Sequence, residues 1–177
     1  MTRINKLKTL KVLTALGLAI ITCAFVFLPN PAVIQSSPEI LSLPREYAIS
    51  AAIGRDQSAF HPVPKFNGFH ASNTPQSLTV DFSTDKVIIR SGPIYWNWQL
   101  DAYGYGDDLI PVTSAEPIAT ANRVEYRHGA ITEWYINGPL GLQQGFDLIA
   151  PPPVERTETP LTLIINLAGN GQAEGRT

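Results

Sequence analysis

From Gln76 onward, apolar and polar residues alternate with period two, the spacing of a strand with one buried and one wetter face. Leu78, Val80 and Phe82 alternate with Thr79 and Asp81; Ser83-Thr84-Asp85 then reads as a turn and Lys86 to Arg90 as the returning arm of a hairpin. The cleanest strand opens at Ile94. Ile94, Trp96, Trp98, Leu100 and Ala102 fall on one face, and Tyr95, Asn97, Gln99, Asp101 and Tyr103 on the other. The run Gly104-Tyr105-Gly106-Asp107-Asp108 breaks it. Arg123 to Arg127 and Ala130 to Asn137 predict a hairpin around His128-Gly129, in either of two registers. A two-residue loop puts Val124, Tyr126, Ile131 and Glu133 on one face. A three-residue loop pairs Val124 with Trp134, leaves Glu125 and Glu133 outside and buries the indole, which favours it despite two like charges set opposite each other.

Leu140, Leu142, Phe146, Leu148 and Ala150 give another alternating strand, stopped by Pro151-Pro152-Pro153. Leu161 to Ala168 is the last; its second face, Thr162, Ile164, Asn166 and Ala168, is half apolar, which predicts a central position in a sheet. Upstream, His61 to Pro75 carries three prolines and reads as a loop packed through Phe60, Phe66 and Phe69. Glu46 to Gly54 reads as one or two turns of helix or a short strand. Strands separated by turn signals, with no long helix after the N-terminal segment, predict an all-β fold: an antiparallel β-sandwich of about seven or more strands.

The first 28 residues have a different pattern. Arg3, Lys6, Lys8 and Lys11 precede Val12 to Leu28, a run without charge that Pro29 ends. This is the layout of a secretory signal or an N-terminal membrane anchor helix. Cleaved signal and retained anchor are both open, because no small-x-small cleavage site follows. In either case the remainder is expected outside the cytoplasm: secreted, periplasmic or anchored facing outward, with membrane contact through residues 12–28 if uncleaved. The chain therefore divides into leader 1–28, a Pro/Ser-rich linker 29–44, a sandwich domain 45–169 and a Gly-rich tail 170–177.

Charge narrows the partners. The chain carries 13 basic and 15 acidic side chains. Without the four leader bases, nine face fifteen and the exported part is at net −6. Such a domain lacks the basic footprint that nucleic acid requires. The one cysteine, Cys23, lies in the leader, so the domain must hold together by its core, without a disulfide.

Chemistry is sparse. His61, His70 and His128 have no metal-ligand spacing, and nucleophile-elbow, Walker and dinucleotide motifs are absent. No catalytic residue and no metal ligand is assigned, and no cofactor is expected. Asp107-Asp108 in its glycine loop is the only feature compatible with calcium, and it lacks the alternating acidic spacing of a dedicated loop. An acid/base pair for glycoside chemistry would be drawn from carboxylates such as Asp101 and Glu133. The face formed by Tyr95, Asn97, Gln99, Asp101 and Tyr103 suits ligand binding, since aromatic faces stack on sugar C–H groups while amides and carboxylates take hydroxyls.

The segment Asn122-Arg-Val-Glu-Tyr-Arg-His-Gly-Ala-Ile-Thr-Glu-Trp-Tyr-Ile-Asn-Gly-Pro-Leu-Gly-Leu-Gln-Gln-Gly-Phe resembles a signature of secreted bacterial proteins with FG-GAP (integrin-alpha-like) repeats. Trp96-Asn-Trp-Gln-Leu, Tyr103-Gly-Tyr-Gly and Pro160-Leu-Thr-Leu are similar to neighbouring parts of the same N-terminal β-sandwich domain. The likeness runs from about Phe69 to Gly169. It implies a non-enzymatic cell-surface or secreted accessory module, with a downstream β-propeller, an envelope protein or a glycan as partner. Gln143 stands where that signature usually has Glu, and the repeats themselves are absent from this sequence.

Overall fold

The computed structural model describes residues 10–11, 23–24, 43–154 and 159–171. Two antiparallel sheets pack face to face as a β-sandwich, with one α-helix, α1 (Leu43–Asp56), against one end. The strands are β1 (Leu10–Lys11), β2 (Cys23–Ala24), β3 (Val63–Lys65), β4 (Gly68–Asn73), β5 (Leu78–Phe82), β6 (Val87–Ser91), β7 (Ile94–Tyr105), β8 (Asp108–Pro111), β9 (Ile118–Thr120), β10 (Arg123–His128), β11 (Ile131–Gly138), β12 (Gly141–Leu148) and β13 (Leu161–Gly169). The large sheet runs β1-β13-β7-β6-β5-β4-β3, with β8 also on β7; the small sheet runs β2-β12-β11-β10-β9. The body of the predicted leader helix lies outside the described residues; among those described, no helix is long and apolar enough to cross a membrane.

The core lies between the sheets. Val80, Phe82, Val87, Trp98, Leu100, Leu163 and Ile165 from the large sheet meet Val124, Tyr126, Ile131, Tyr135 and Phe146 from the small one. Phe82 and Tyr135 touch edge to face across the gap, ring centroids 5.4 Å apart.

Several expectations are corrected. The stretch Glu46–Gly54 belongs to a helix of 14 residues, with Pro44 in the first turn and Glu46 and Arg55 placed to suit the helix dipole. The region 61–75 is largely a hairpin: β3 tolerates Pro64 because it is an edge strand, and Gly68, at φ +129, allows the tight return. Phe66 does not pack there; it sits at the hairpin tip, 98% exposed. β13 lies between β7 and the two-residue β1, one strand in from the edge of its sheet.

The β10–β11 hairpin takes the two-residue register. His128 pairs with Ile131, Tyr126 with Glu133 and Val124 with Tyr135. Gly129, at φ +73, occupies the first loop position, where this kind of hairpin turn needs a positive φ. Trp134 therefore lies on the outer face and is buried by other means. It folds over Gly145, its cross-strand partner, where a Cβ would strike the indole, and the Arg123 guanidinium covers it at 4.7 Å. Glu125 and Asp147 hold that guanidinium in place.

Candidate functional site

The strand β7 bends the predicted ligand face out of register. β13 pairs Ile165 with Leu100 but Ile164 with Ala102, so Asp101 has no partner on β13 and forms a bulge. Beyond it the alternation inverts: Tyr103 turns inward and is 5% exposed, in the core. Tyr95, Asn97 and Gln99 remain together on the outer face, Asp101 sits at the bulge, and Tyr103 does not join them.

On that same outer face, strands β3 to β6 build a charged cluster centred on Asp81. Lys65 Nζ and His70 Nδ1 each lie 2.8 Å from Asp81 Oδ1, and Arg90 Nη1 lies 2.6 Å from Oδ2. Burial pushes the Asp81 carboxyl up, but the hydrogen bonds from Lys65, His70 and Arg90 outweigh it and hold the group well below the usual carboxylate range. Register pairs Arg90 with Tyr95, which makes the cluster continuous with Tyr95 and Asn97. Ser72 Oγ stands 3.4 Å from His70 Nε2, so Ser72, His70 and Asp81 follow the order of a hydrolase triad. Yet Ser72 is exposed on an open sheet face and Asp81 is shared with two other cations. That leaves the order without the enclosed, desolvated setting that activates a serine.

A second cluster lies between the sheets, on the inner face of β10, β11 and β12. Glu133 is 4% exposed, and its Oε1 accepts from Tyr135 Oη at 2.5 Å and from Gln144 Nε2 at 2.6 Å. Its Oε2 faces His128 Nε2 at 3.8 Å. His128 Nδ1 is 2.6 Å from the Thr113 carbonyl oxygen, which can only accept, so Nδ1 carries a proton. Burial first, then the charges of Glu133, Asp85 and Glu116, push the Tyr126 phenol far up; burial and Glu133 do the same to Tyr135. The Tyr126 hydroxyl and His128 Nε2 are buried without a hydrogen-bond partner. A cavity of about 30 Å3, lined by Tyr126, His128, Glu133, Trp98, Asp85 and Thr113 among others, opens beside them. It is far below the roughly 300–1,000 Å3 of a small-molecule pocket.

Asp101 and Glu133, the predicted carboxylate pair, are not brought together. They stand on different sheets, and Asp101 does not line the cavity. Among the described residues no group of three or more His, Cys, Asp and Glu side chains converges, Asp107-Asp108 included. The sequence reading missed the pairings His128–Glu133 and His70–Asp81. The first was within reach, since a glycine-first two-residue turn at Gly129 sets Tyr126, His128, Glu133 and Tyr135 on one face.

No protein-family model, no curated protein and no solved structure matches the chain.

Proposed function

We propose that this chain is an exported, non-enzymatic interaction module, comparable to the N-terminal β-sandwich domain of FG-GAP repeat proteins. It works through the outer face of its large sheet, on a downstream propeller or an envelope protein. The observation that carries this is the separation of the carboxylates. Glu133 is closed into the core, bonded by Tyr135 and Gln144, while Asp101 stands on the other sheet. The paired, solvent-reached carboxyls of a glycosidase need about 5–9.5 Å between them across a substrate cleft.

A second reading, glycan binding, is favoured by one feature: Tyr95, 42% exposed, shares its face with Asn97 and Gln99 beside Arg90. The basic-then-apolar pattern of the first 28 residues supports export, either as a cleaved signal or as a retained anchor.

Three measurements test the proposal. Chromogenic glycosides and esters should not be turned over; hydrolysis lost in Asp101→Asn, Glu133→Gln or Ser72→Ala would contradict it. On a glycan array, binding that disappears in Tyr95→Ala would shift the reading to the glycan-binding alternative. Mass spectrometry of the exported product should find an N-terminus near residues 30–38 or an intact leader in a membrane fraction; an intact chain in the cytosol would contradict export.

A further inference from the structure

The geometry points to a binding site for one borderline divalent cation of the zinc class inside the sandwich, held by His128 Nε2 and Glu133 Oε2 with the Tyr126 hydroxyl as third donor and solvent completing the shell. Both primary donors are already aimed. The Nδ1 proton of His128 is committed to Thr113 O, so in the neutral ring Nε2 presents its lone pair to the cavity. Both hydrogen bonds on Glu133 fall on Oε1, which leaves Oε2 for the same space. Nε2 and Oε2 lie 3.8 Å apart, beyond hydrogen-bond reach. Two ligand bonds of about 2.0–2.2 Å span that gap around a single ion, with a small closure toward the tetrahedral angle.

The surroundings match what such an ion needs. Metal-bound histidines pass their other ring N–H to a backbone carbonyl or a carboxylate, and ligating carboxylates are themselves hydrogen-bonded. Thr113 O does the first here, and Tyr135 with Gln144 does the second. The Tyr126 hydroxyl, on a side chain that is 97% buried by its 3% exposure, has no partner and lines the same cavity. Buried polar atoms without partners are uncommon, and the Tyr126 hydroxyl and His128 Nε2 belong to residues that line one cavity. Asp85 at the rim and nearby Glu116 add negative charge against the single Lys86. Imidazole nitrogen with carboxylate and phenol oxygen suits zinc, cobalt or nickel; the oxygens are too few for calcium. Among the described residues no third His, Cys, Asp or Glu side chain joins His128 and Glu133, so the remaining positions of the shell would fall to Tyr126 and solvent.

The test is a titration of the folded full chain with zinc chloride by calorimetry, and with cobalt(II) followed by its visible absorption. One equivalent should bind. Binding should vanish in His128→Ala and weaken about 10–100-fold in Tyr135→Phe, where the positioning bond to Glu133 is lost. It should be unchanged in the double variant His61→Ala/His70→Ala. Should His128→Ala fail to fold by circular dichroism, 15N spectra of the unsubstituted protein take its place: zinc should move the Nε2 resonance of His128. No uptake, uptake that survives His128→Ala, loss in the surface double variant, or an unmoved Nε2 resonance at saturating zinc would each overturn the site.

Discussion

Asn73 Nδ2 donates to Asn137 Oδ1 at 2.7 Å, joining β4 of the large sheet to β11 of the small one inside the sandwich. The two amides anchor a wider set of bonds. Asn73 also donates to Gly138 O, and Asn137 Nδ2 donates to the carbonyls of Phe60 and Ser72. Asn122 Nδ2 adds bonds to Asn137 O and to Ala51 O in α1. One polar knot thus ties both sheets, the turn at Phe60 and the helix.

Removing the centre of that knot leaves buried carbonyls without donors, each worth about 1–3 kcal/mol. Asn137→Ala is expected to cost about 3 kcal/mol in urea unfolding. The double variant with Asn73→Ala should cost less than the sum of the two, because they share a bond. Additive losses would mean the two amides act independently.

The helix sits against the turn at Gly138 with no room for a side chain: an added Cβ would lie 2.6 Å from both the carbonyl oxygen and Oγ of Ser50. Gly138→Ala should therefore push α1 away at a cost of about 1–3 kcal/mol. It should also break the bond from Leu140 N to Ser50 Oγ, so the Leu140 amide should exchange its hydrogen faster.

The bulge at Asp101 predicts opposite outcomes for two tyrosines of one strand. Tyr103→Ala removes a core aromatic and should cost about 3–5 kcal/mol. Tyr95→Ala, at the surface, should stay within about 0.5 kcal/mol. Equal effects in thermal or urea unfolding would argue for an unbroken alternation along β7.

Much of the sandwich was legible because its strands keep period two. Val80 and Phe82, and Trp98 and Leu100, point inward as their alternation requires. What was hidden has particular causes. The bulge at Asp101 leaves no mark in a run that still alternates apolar and polar. Trp134 suggested the wrong hairpin register, because a buried indole was assumed to need the core; a glycine notch and an arginine lid serve as well. The strands β3 and β4 were masked by prolines at an edge. Glu133 looked like a surface carboxylate because one of its partners, Gln144, becomes a neighbour only once β11 and β12 pair.

Asp81 makes stability acid-sensitive. Its folded carboxyl is held below the usual range, so the unfolded chain takes up the proton first as pH falls. Its contribution is full above the ordinary carboxyl value near 4 and drains away below it. The stability gap between the protein and Asp81→Asn should be level from about pH 7 to 5 and narrow from about pH 4 toward pH 2. A gap that grows on acidification would refute the cluster.

The pairing of β10 with β11 decides the site, because it carries Glu133 into the interior beside Tyr126 and His128. Cross-strand nuclear Overhauser contacts between backbone protons decide it. They should pair Val124 with Tyr135 and Tyr126 with Glu133. Contacts pairing Val124 with Trp134 instead would turn Glu133 to solvent and dismantle the site.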